Sequence, residues 1–195
     1  MIRHGETVAN AEGYAAGSFD TPLTDKGREQ AQAACRSLEC LSLKPKLIVH
    51  SHLSRARDTA NILNKKLHLP MQENVLLSEQ CFGDWMGTSW DTVRERIEAG
   101  KIPPKGESKT AFIERVMNGF VEIMGLPDEP ILIVTHGGVF DALIWNYKRR
   151  ISDVQNCHLY EFAPTAEKKE FPWEIWHHYT AEDGRPLRKI VEIGT

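Results

Sequence analysis

Two short segments of this chain carry the same pair of residue types in the same setting. Arg3-His4-Gly5-Glu6-Thr7 stands near its start, and Thr135-His136-Gly137-Gly138 follows directly on the apolar run Ile131-Leu132-Ile133-Val134. A histidine that leaves a buried strand and is followed by glycine sets an imidazole at the mouth of a sheet with bare backbone amides beside it. Glycine lets the backbone approach a ligand closely, and the positive end of a helix favours an anion there. Two such corners, with Arg3 and Arg55 supplying fixed positive charge, make a pocket for a phosphoryl group. The implied chemistry is phosphoryl transfer with a histidine nucleophile.

Each part has its own reason. An imidazole nitrogen of His4 can accept the phosphoryl group and so split one hard displacement into two easier ones. That nitrogen must be unprotonated, so the other should donate to a backbone carbonyl that fixes the tautomer. Arg3 and Arg55 can each fork onto phosphate oxygens, which lysine cannot do. Arg57 competes with Arg55, but its place in the helical row turns it to solvent or to a carboxylate partner. His136 completes the clamp as a donor to the phosphoryl oxygens, with the amides at Gly137 beside it, and Asn10 adds a neutral donor. The leaving oxygen needs a proton from a carboxyl kept protonated by a confined site. Glu79, set among apolar neighbours in Leu76-Leu77-Ser78-Glu79-Gln80-Cys81-Phe82-Gly83, is the candidate, with Asp84 and His52 next in line.

These residues need a scaffold that brings strand ends together. Leu47-Ile48-Val49 and Ile131 to Val134 are β-branched runs bounded by Pro45 and Pro130, as buried parallel strands are. With Thr24 as N-cap, Ala31, Ala34, Leu38 and Leu41 follow helical spacing. Ala56, Ala60, Leu63 and Leu67 repeat it after Ser54, and Phe112, Val116, Phe120 and Ile123 repeat it before Gly125 and Pro127. A last helix is expected from Val139 to about Tyr147. Strand-then-helix repetition predicts an α/β fold: a three-layer α/β/α sandwich around a mostly parallel central sheet, with right-handed crossovers. Ligands then bind beyond the carboxyl ends of the strands, where His4, Ser51 and His136 emerge. Cys157 to Phe162 and Trp173 to His177 read as two strands at the sheet edge, and the tail after Ala181 is too polar to assign. Only Met1 and Ile2 precede Arg3, whereas a strand usually has about five or six residues. Either the first strand is stunted or the chain extends upstream.

At 195 residues the chain fits a single domain, 1–195, with 41% hydrophobic and 26% charged residues. A formal net charge of -3 and the lack of a basic, aromatic-interleaved face argue against a nucleic-acid partner. No run approaches a membrane span and no secretory leader precedes Arg3, so a cytoplasmic protein without a membrane partner is expected. Cys35, Cys40, Cys81 and Cys157 show no CxxC pairing or metal-ligand spacing and read as free thiols. Lys101, Lys105 and Lys109 either greet an anionic substrate or form a solvated charge run. Trp85 and Trp90 either cover the pocket or pack in the core, and His177-His178 reads as a strand end.

The order of these segments resembles the histidine phosphatase superfamily, also called phosphoglycerate-mutase-like. Arg3-His4-Gly5-Glu6-Thr7 with Asn10, then Gly17 and Pro22-Leu23-Thr24-Asp25-Lys26-Gly27-Arg28-Glu29-Gln30-Ala31, is similar to its first motif. Ser51-His52-Leu53-Ser54-Arg55-Ala56 with Thr59-Ala60 resembles the second, and Glu79 with Phe82-Gly83-Asp84-Trp85-Met86-Gly87 the third. Gly106-Glu107-Ser108 with Arg115-Val116 resembles a fourth, and Thr135-His136-Gly137-Gly138 the last. The resemblance implies a phosphate pocket on Arg3, His4, Arg55 and His136 with Asn10, Gly17 and Gly137, and Glu79 as proton donor. It implies no metal and no organic cofactor for a phosphatase; a small phosphate monoester is the expected substrate, and a monomer or homodimer the expected state. His52 stands where the family usually has proline, which places an imidazole near the pocket rim. The short interval from Glu79 to His136, and Phe82 where mutases carry tyrosine, favour a phosphatase over a bisphosphoglycerate-dependent phosphoglycerate mutase. A phosphate-sensing or protein-binding module on the same fold is the non-enzymatic alternative.

Overall fold

Side chains alternate across the central strands, and that alternation builds the layers. The computed structural model describes residues 1–194 apart from 40, 42, 127, 128, 152, 153, 166–169 and 181–184. In chain order it runs β1 (Ile2–Arg3), α1 (Val8–Glu12), α2 (Asp25–Glu39), β2 (Leu47–His50), α3 (Ser54–Leu67), β3 (Met71–Glu73), α4 (Trp90–Glu98), α5 (Lys109–Met124), β4 (Ile131–Thr135), α6 (Gly137–Trp145), β5 (Leu159–Pro164), β6 (Trp173–Thr180) and β7 (Pro186–Ile190). Ile48, Leu132 and Val134 point to one face, where Ala31, Ala34 and Leu38 of α2 and Ala56, Ala60 and Leu63 of α3 cover them. Val49 and Ile133 point to the other, beneath Phe112, Val116 and Phe120 of α5 and Val139 and Leu143 of α6. Burying each large side chain contributes roughly 1.5–3 kcal/mol over leaving it exposed. The alanines on α2 and α3 allow those two helices to sit close together. This is the expected α/β/α sandwich.

The sheet order is β3-β2-β4-β1-β5-β6-β7. Its first four strands are parallel, and β5, β6 and β7 continue it antiparallel. β1 is two residues long, and Met1 extends its ladder by exchanging bonds with Tyr160 at 2.6 and 2.8 Å. The edge differs from expectation. β5 and β6 lie inside the sheet because β7 pairs along β6 and leaves Leu187 and Ile190 exposed at the rim. A polar edge strand needs little burial, so its sequence carries no apolar pattern to read. His177 and His178 sit within β6: His177 stacks on His158 and Tyr160 with ring centroids 4.8 Å away in each case. His178 Nε2 donates to Glu161 at 2.8 Å.

Thr24 Oγ1 accepts the Gly27 N–H at 3.0 Å at the start of α2, as a cap does, while Leu41 packs on the core from beyond the helix end. α6 starts two residues earlier than expected, at Gly137. Cys35 and Cys81 are half-buried free thiols and Cys157 a buried one; Cys40 and Pro127 lie outside the described residues. No helix among the described residues is long and apolar enough to cross a membrane.

Candidate active site

The carboxyl ends of β1, β2 and β4 open into a cavity of about 730 Å³, lined by Arg3, His4, Asn10, Gly17, Arg55, Glu79 and Gly137 among others. His4 leaves β1 with its backbone N–H on Thr135 O at 2.9 Å, tying the two histidine corners together. The Gly5 N–H donates to Thr59 Oγ1 at 3.0 Å, and Thr59 in turn donates to Arg55 O at 2.7 Å. Glycine is required at this corner: a Cβ on Gly5 would stand 2.3 Å from Gly27 O. His4 is 4% exposed, and its Nδ1 lies 2.7 Å from Gly5 O. A carbonyl only accepts, so Nδ1 carries the proton and Nε2 keeps its lone pair. Burial, with Arg55 and Arg3 nearby, holds the imidazole well below its usual pKa.

The two arginines are set differently. Arg55 is 2% exposed; its Nη1 donates to Phe19 O at 2.8 Å, its Nη2 to Gly17 O at 2.7 Å and its Nε to His136 Nδ1 at 3.2 Å. Gly17 thus orients the arginine through its carbonyl. Its φ of +52° and the 2.8 Å a Cβ would leave to Gln80 O exclude a side chain there. Arg3 Nη1 donates to Val154 O at 2.8 Å, while its buried Nε has no hydrogen-bond partner. A buried guanidinium N–H without a partner costs free energy unless an anion meets it. Arg57 is exposed beside Asp58, as expected.

His136 is fully buried, with its ring centroid 5.2 Å from that of His4. It is not among the cavity-lining residues. Arg55 Nε can only donate, so His136 Nδ1 accepts, and its Nε2 donates to Ser51 Oγ at 2.8 Å. The expected role as a phosphoryl donor therefore requires the other tautomer, with the Ser51 hydroxyl turned to donate to Nε2 and the Nδ1–H released from Arg55 Nε. Asn10 Oδ1 accepts from Thr7 N–H and Asn156 Nδ2, which leaves its own amide N–H groups as donors.

Glu79 is held by backbone. Its Oε1 accepts the Gln80 N–H at 2.9 Å and its Oε2 the Gly138 N–H at 3.2 Å, at the start of α6. A Cβ on Gly138 would come within 2.1 Å of Oε1, so glycine there makes room for the carboxyl. Behind it, Arg115 donates to Leu76 O, Ser78 O and Glu79 O at 2.8, 3.1 and 3.3 Å and pairs with Glu107. Glu107 also accepts the Cys81 N–H at 2.9 Å. Against its burial, these partners hold the Glu107 carboxyl below the usual range. The Glu107 and Arg115 segment thus pins the loop that carries Glu79.

Other candidates fall elsewhere. Asp84 is exposed and pairs with Lys105, and His52 is exposed with its Nδ1 donating to Ser78 Oγ, so neither lines the cavity. The imidazole expected near the rim turns outward because Ser78 offers it a partner there. Lys109 lies over the Trp145 ring at 3.7 Å. Trp85 packs in a core cluster with Ala15, Phe82 and Val93, whereas Trp90 lines the cavity. Asp141 also lines it and was not anticipated. Its position four residues after Gly137 on one helix was the signal for it. Among the described residues no group of three or more His, Cys, Asp or Glu side chains is placed to hold a metal ion.

The paired imidazoles set a pH dependence of stability. Burial holds both His4 and His136 well below the usual 6.5. Above that value both are neutral in the folded and unfolded chain alike. As pH falls below it, the unfolded chain binds the two protons first, so stability is lost until the folded pKa values are reached. In phosphate-free buffer the two rings should together lower the unfolding free energy from urea titration by about 2 kcal/mol between pH 6.5 and 5.5, so the fall should be smaller by about 1 kcal/mol in His4→Ala, where the other titrating groups cancel in the difference. The same fall in both chains would show that the His4 ring protonates freely in the folded state.

Comparison with known proteins agrees with this geometry. The model of the histidine phosphatase superfamily (branch 1) matches residues 1–172. The chain is 37% identical over 155 residues to an adenosylcobalamin/alpha-ribazole phosphatase of Escherichia coli, covering 74% of this chain and 75% of that one. It is 35% identical over 160 residues to a glucosyl-3-phosphoglycerate phosphatase of Mycolicibacterium vanbaalenii, covering 73% and 70%. A native structure of a mycobacterial glucosyl-3-phosphoglycerate phosphatase superposes with a TM-score of 0.70 at 26% identity, over 97% of this chain and 95% of that one. The family match and the relatives define the class, a phosphoric monoester hydrolase. The chain belongs to the histidine phosphatase superfamily, in its first branch.

Proposed function

We propose that this protein hydrolyses a small phosphate monoester through a phosphohistidine formed on His4. The observation that carries the reading is the floor of the cavity. There the partnerless Arg3 Nε–H stands with an imidazole whose Nδ1 is committed to Gly5, so that Nε2 is left to act. Arg3 and Arg55 hold the phosphoryl oxygens, with Asn10 as a neutral donor, the amide at Gly137 beside them, and His136 as a second donor once its Nδ1 is protonated and released from Arg55. Nε2 attacks phosphorus, the bond to the ester oxygen breaks, and Glu79 gives that oxygen its proton. Water, deprotonated by the same carboxylate, then displaces phosphate from His4 and restores the enzyme. The reaction needs neither metal nor organic cofactor.

The same reading places the protein in the cytoplasm, where Cys35, Cys81 and Cys157 stay reduced, as a monomer or homodimer without nucleic-acid or membrane partners. A panel of phosphorylated sugars, nucleotides, glycerates and phosphopeptides tests it. Release of inorganic phosphate from one small ester class, well above the rest, is the expected result. Conversion of 3-phosphoglycerate to 2-phosphoglycerate with a bisphosphoglycerate primer, faster than hydrolysis, would replace the reading with a mutase. No turnover of any member would turn it into a phosphate-binding module.

A further inference from the structure

Asp141 lines the same cavity as His4 and Glu79 and has no part in the chemistry just described. It stands three residues after Gly138 and four after Gly137 on α6, so it shares their face and lies about one turn further along the helix. Since Gly138 N–H holds Glu79 Oε2, the wall that rises from the acid carries a second carboxyl close to the first. The cavity is also lined by the apolar side chains of Trp145, Ile151, Val154 and Phe112, and by the charged Arg94 and Glu98. The cations facing Asp141 are Arg3 from β1 and Lys109 from α5, with Arg150 beside Lys109, and the facing anion is Glu79. Among the described residues no hydrogen bond or ion pair engages its carboxyl. An acceptor that shares the cavity with Arg3 and Arg55 is within reach of the group that the phosphoryl is attached to.

We propose that Asp141 selects the leaving group, accepting hydrogen bonds from alcohols that carry further hydroxyls and repelling those that carry a carboxylate or a second phosphate. The proposal rests on the phosphatase reading and adds to it the class of ester preferred, a polyol or sugar phosphate. Burial and the nearby Glu79 push Asp141 up to about 7, against the pull of Arg3 and Lys109. The carboxyl is then mostly protonated at pH 6 and mostly ionised at pH 8. Repulsion of anionic leaving groups therefore grows across this interval.

Two ligands isolate the effect: the non-hydrolysable methylene phosphonates corresponding to glycerol 3-phosphate and 3-phosphoglycerate. They differ in a hydroxymethyl group against a carboxylate, and the titration of the shared phosphonate cancels in the ratio of their dissociation constants. Calorimetry on the full chain should show that ratio rising about five- to tenfold against the carboxylate between pH 6 and 8, as for two charges roughly 7 Å apart in a partly wet cavity. In Asp141→Asn it should stay at the low-pH value throughout. A wild-type ratio equal to that of Asp141→Asn at every pH overturns the proposal. The same rise in Asp141→Asn, or binding of neither ligand, overturns it as well. Nitrophenyl phosphate turnover that depends on His4 leaves the phosphatase reading standing in each case, so the two failures are distinguishable.

Discussion

His4→Ala should lower turnover of para-nitrophenyl phosphate by roughly 10⁴-fold or more, the scale seen when a nucleophile is removed from a covalent mechanism. No neighbour is placed to substitute. His136 has its Nδ1 on Arg55 and its Nε2 on Ser51, and the guanidinium groups of Arg3 and Arg55 have no lone pair to offer. Wild-type enzyme quenched in alkaline detergent after mixing with labelled substrate should retain phosphate that is stable to base and released by acid, as a phosphoramidate is. The variant should retain none. Its far-ultraviolet spectrum should match wild type, because the ring's one hydrogen bond is to its own neighbour, Gly5, and its ring contact is the edge-on one to His136. Undiminished turnover in the variant would falsify the mechanism.

Glu79→Gln should separate substrates by the basicity of their leaving groups. An alkoxide cannot depart without a proton, so hydrolysis of a sugar or glycerol phosphate should fall by roughly 10²- to 10⁴-fold. Nitrophenolate leaves unaided, and its ester should lose about tenfold or less. Glutamine can accept only one of the two backbone N–H bonds that Glu79 now takes from Gln80 and Gly138. Some loss common to both substrates is therefore expected, and the contrast between them carries the conclusion. Equal losses would remove Glu79 as the acid. Asp84 and His52 do not line the cavity, which would leave Asp141 as the carboxyl to test.

The layers were legible because burial on two faces writes itself into residue type. Ile48 and Val49, or Leu132 and Ile133, are apolar in succession since each points into a different layer of helices. The polar edge strand Pro186–Ile190 was not legible, because backbone pairing to β6 holds it without an apolar face. The short β1 was hard to assign for a related reason: two residues carry no periodicity, and its place comes from pairing with β4 and β5 on either side.

The candidate residues of the site were set by sequence alone. Arg3, His4, Arg55, Glu79 and His136 stand beside glycines and strand ends, and those local settings are encoded within a few residues. What each group does with its protons came only from the tertiary structure. Gly5 O sets the tautomer of His4, whereas Arg55 and Ser51, from distant parts of the chain, set that of His136. Gly138 and Arg115 aim Glu79 and its loop, His52 turns away to Ser78, and Asp141 enters the cavity beside Glu79. The physical reason is range. Residue type and helical spacing act along the chain, but desolvation and hydrogen-bond partnership depend on which atoms fill the surrounding space, and that is decided when the layers close.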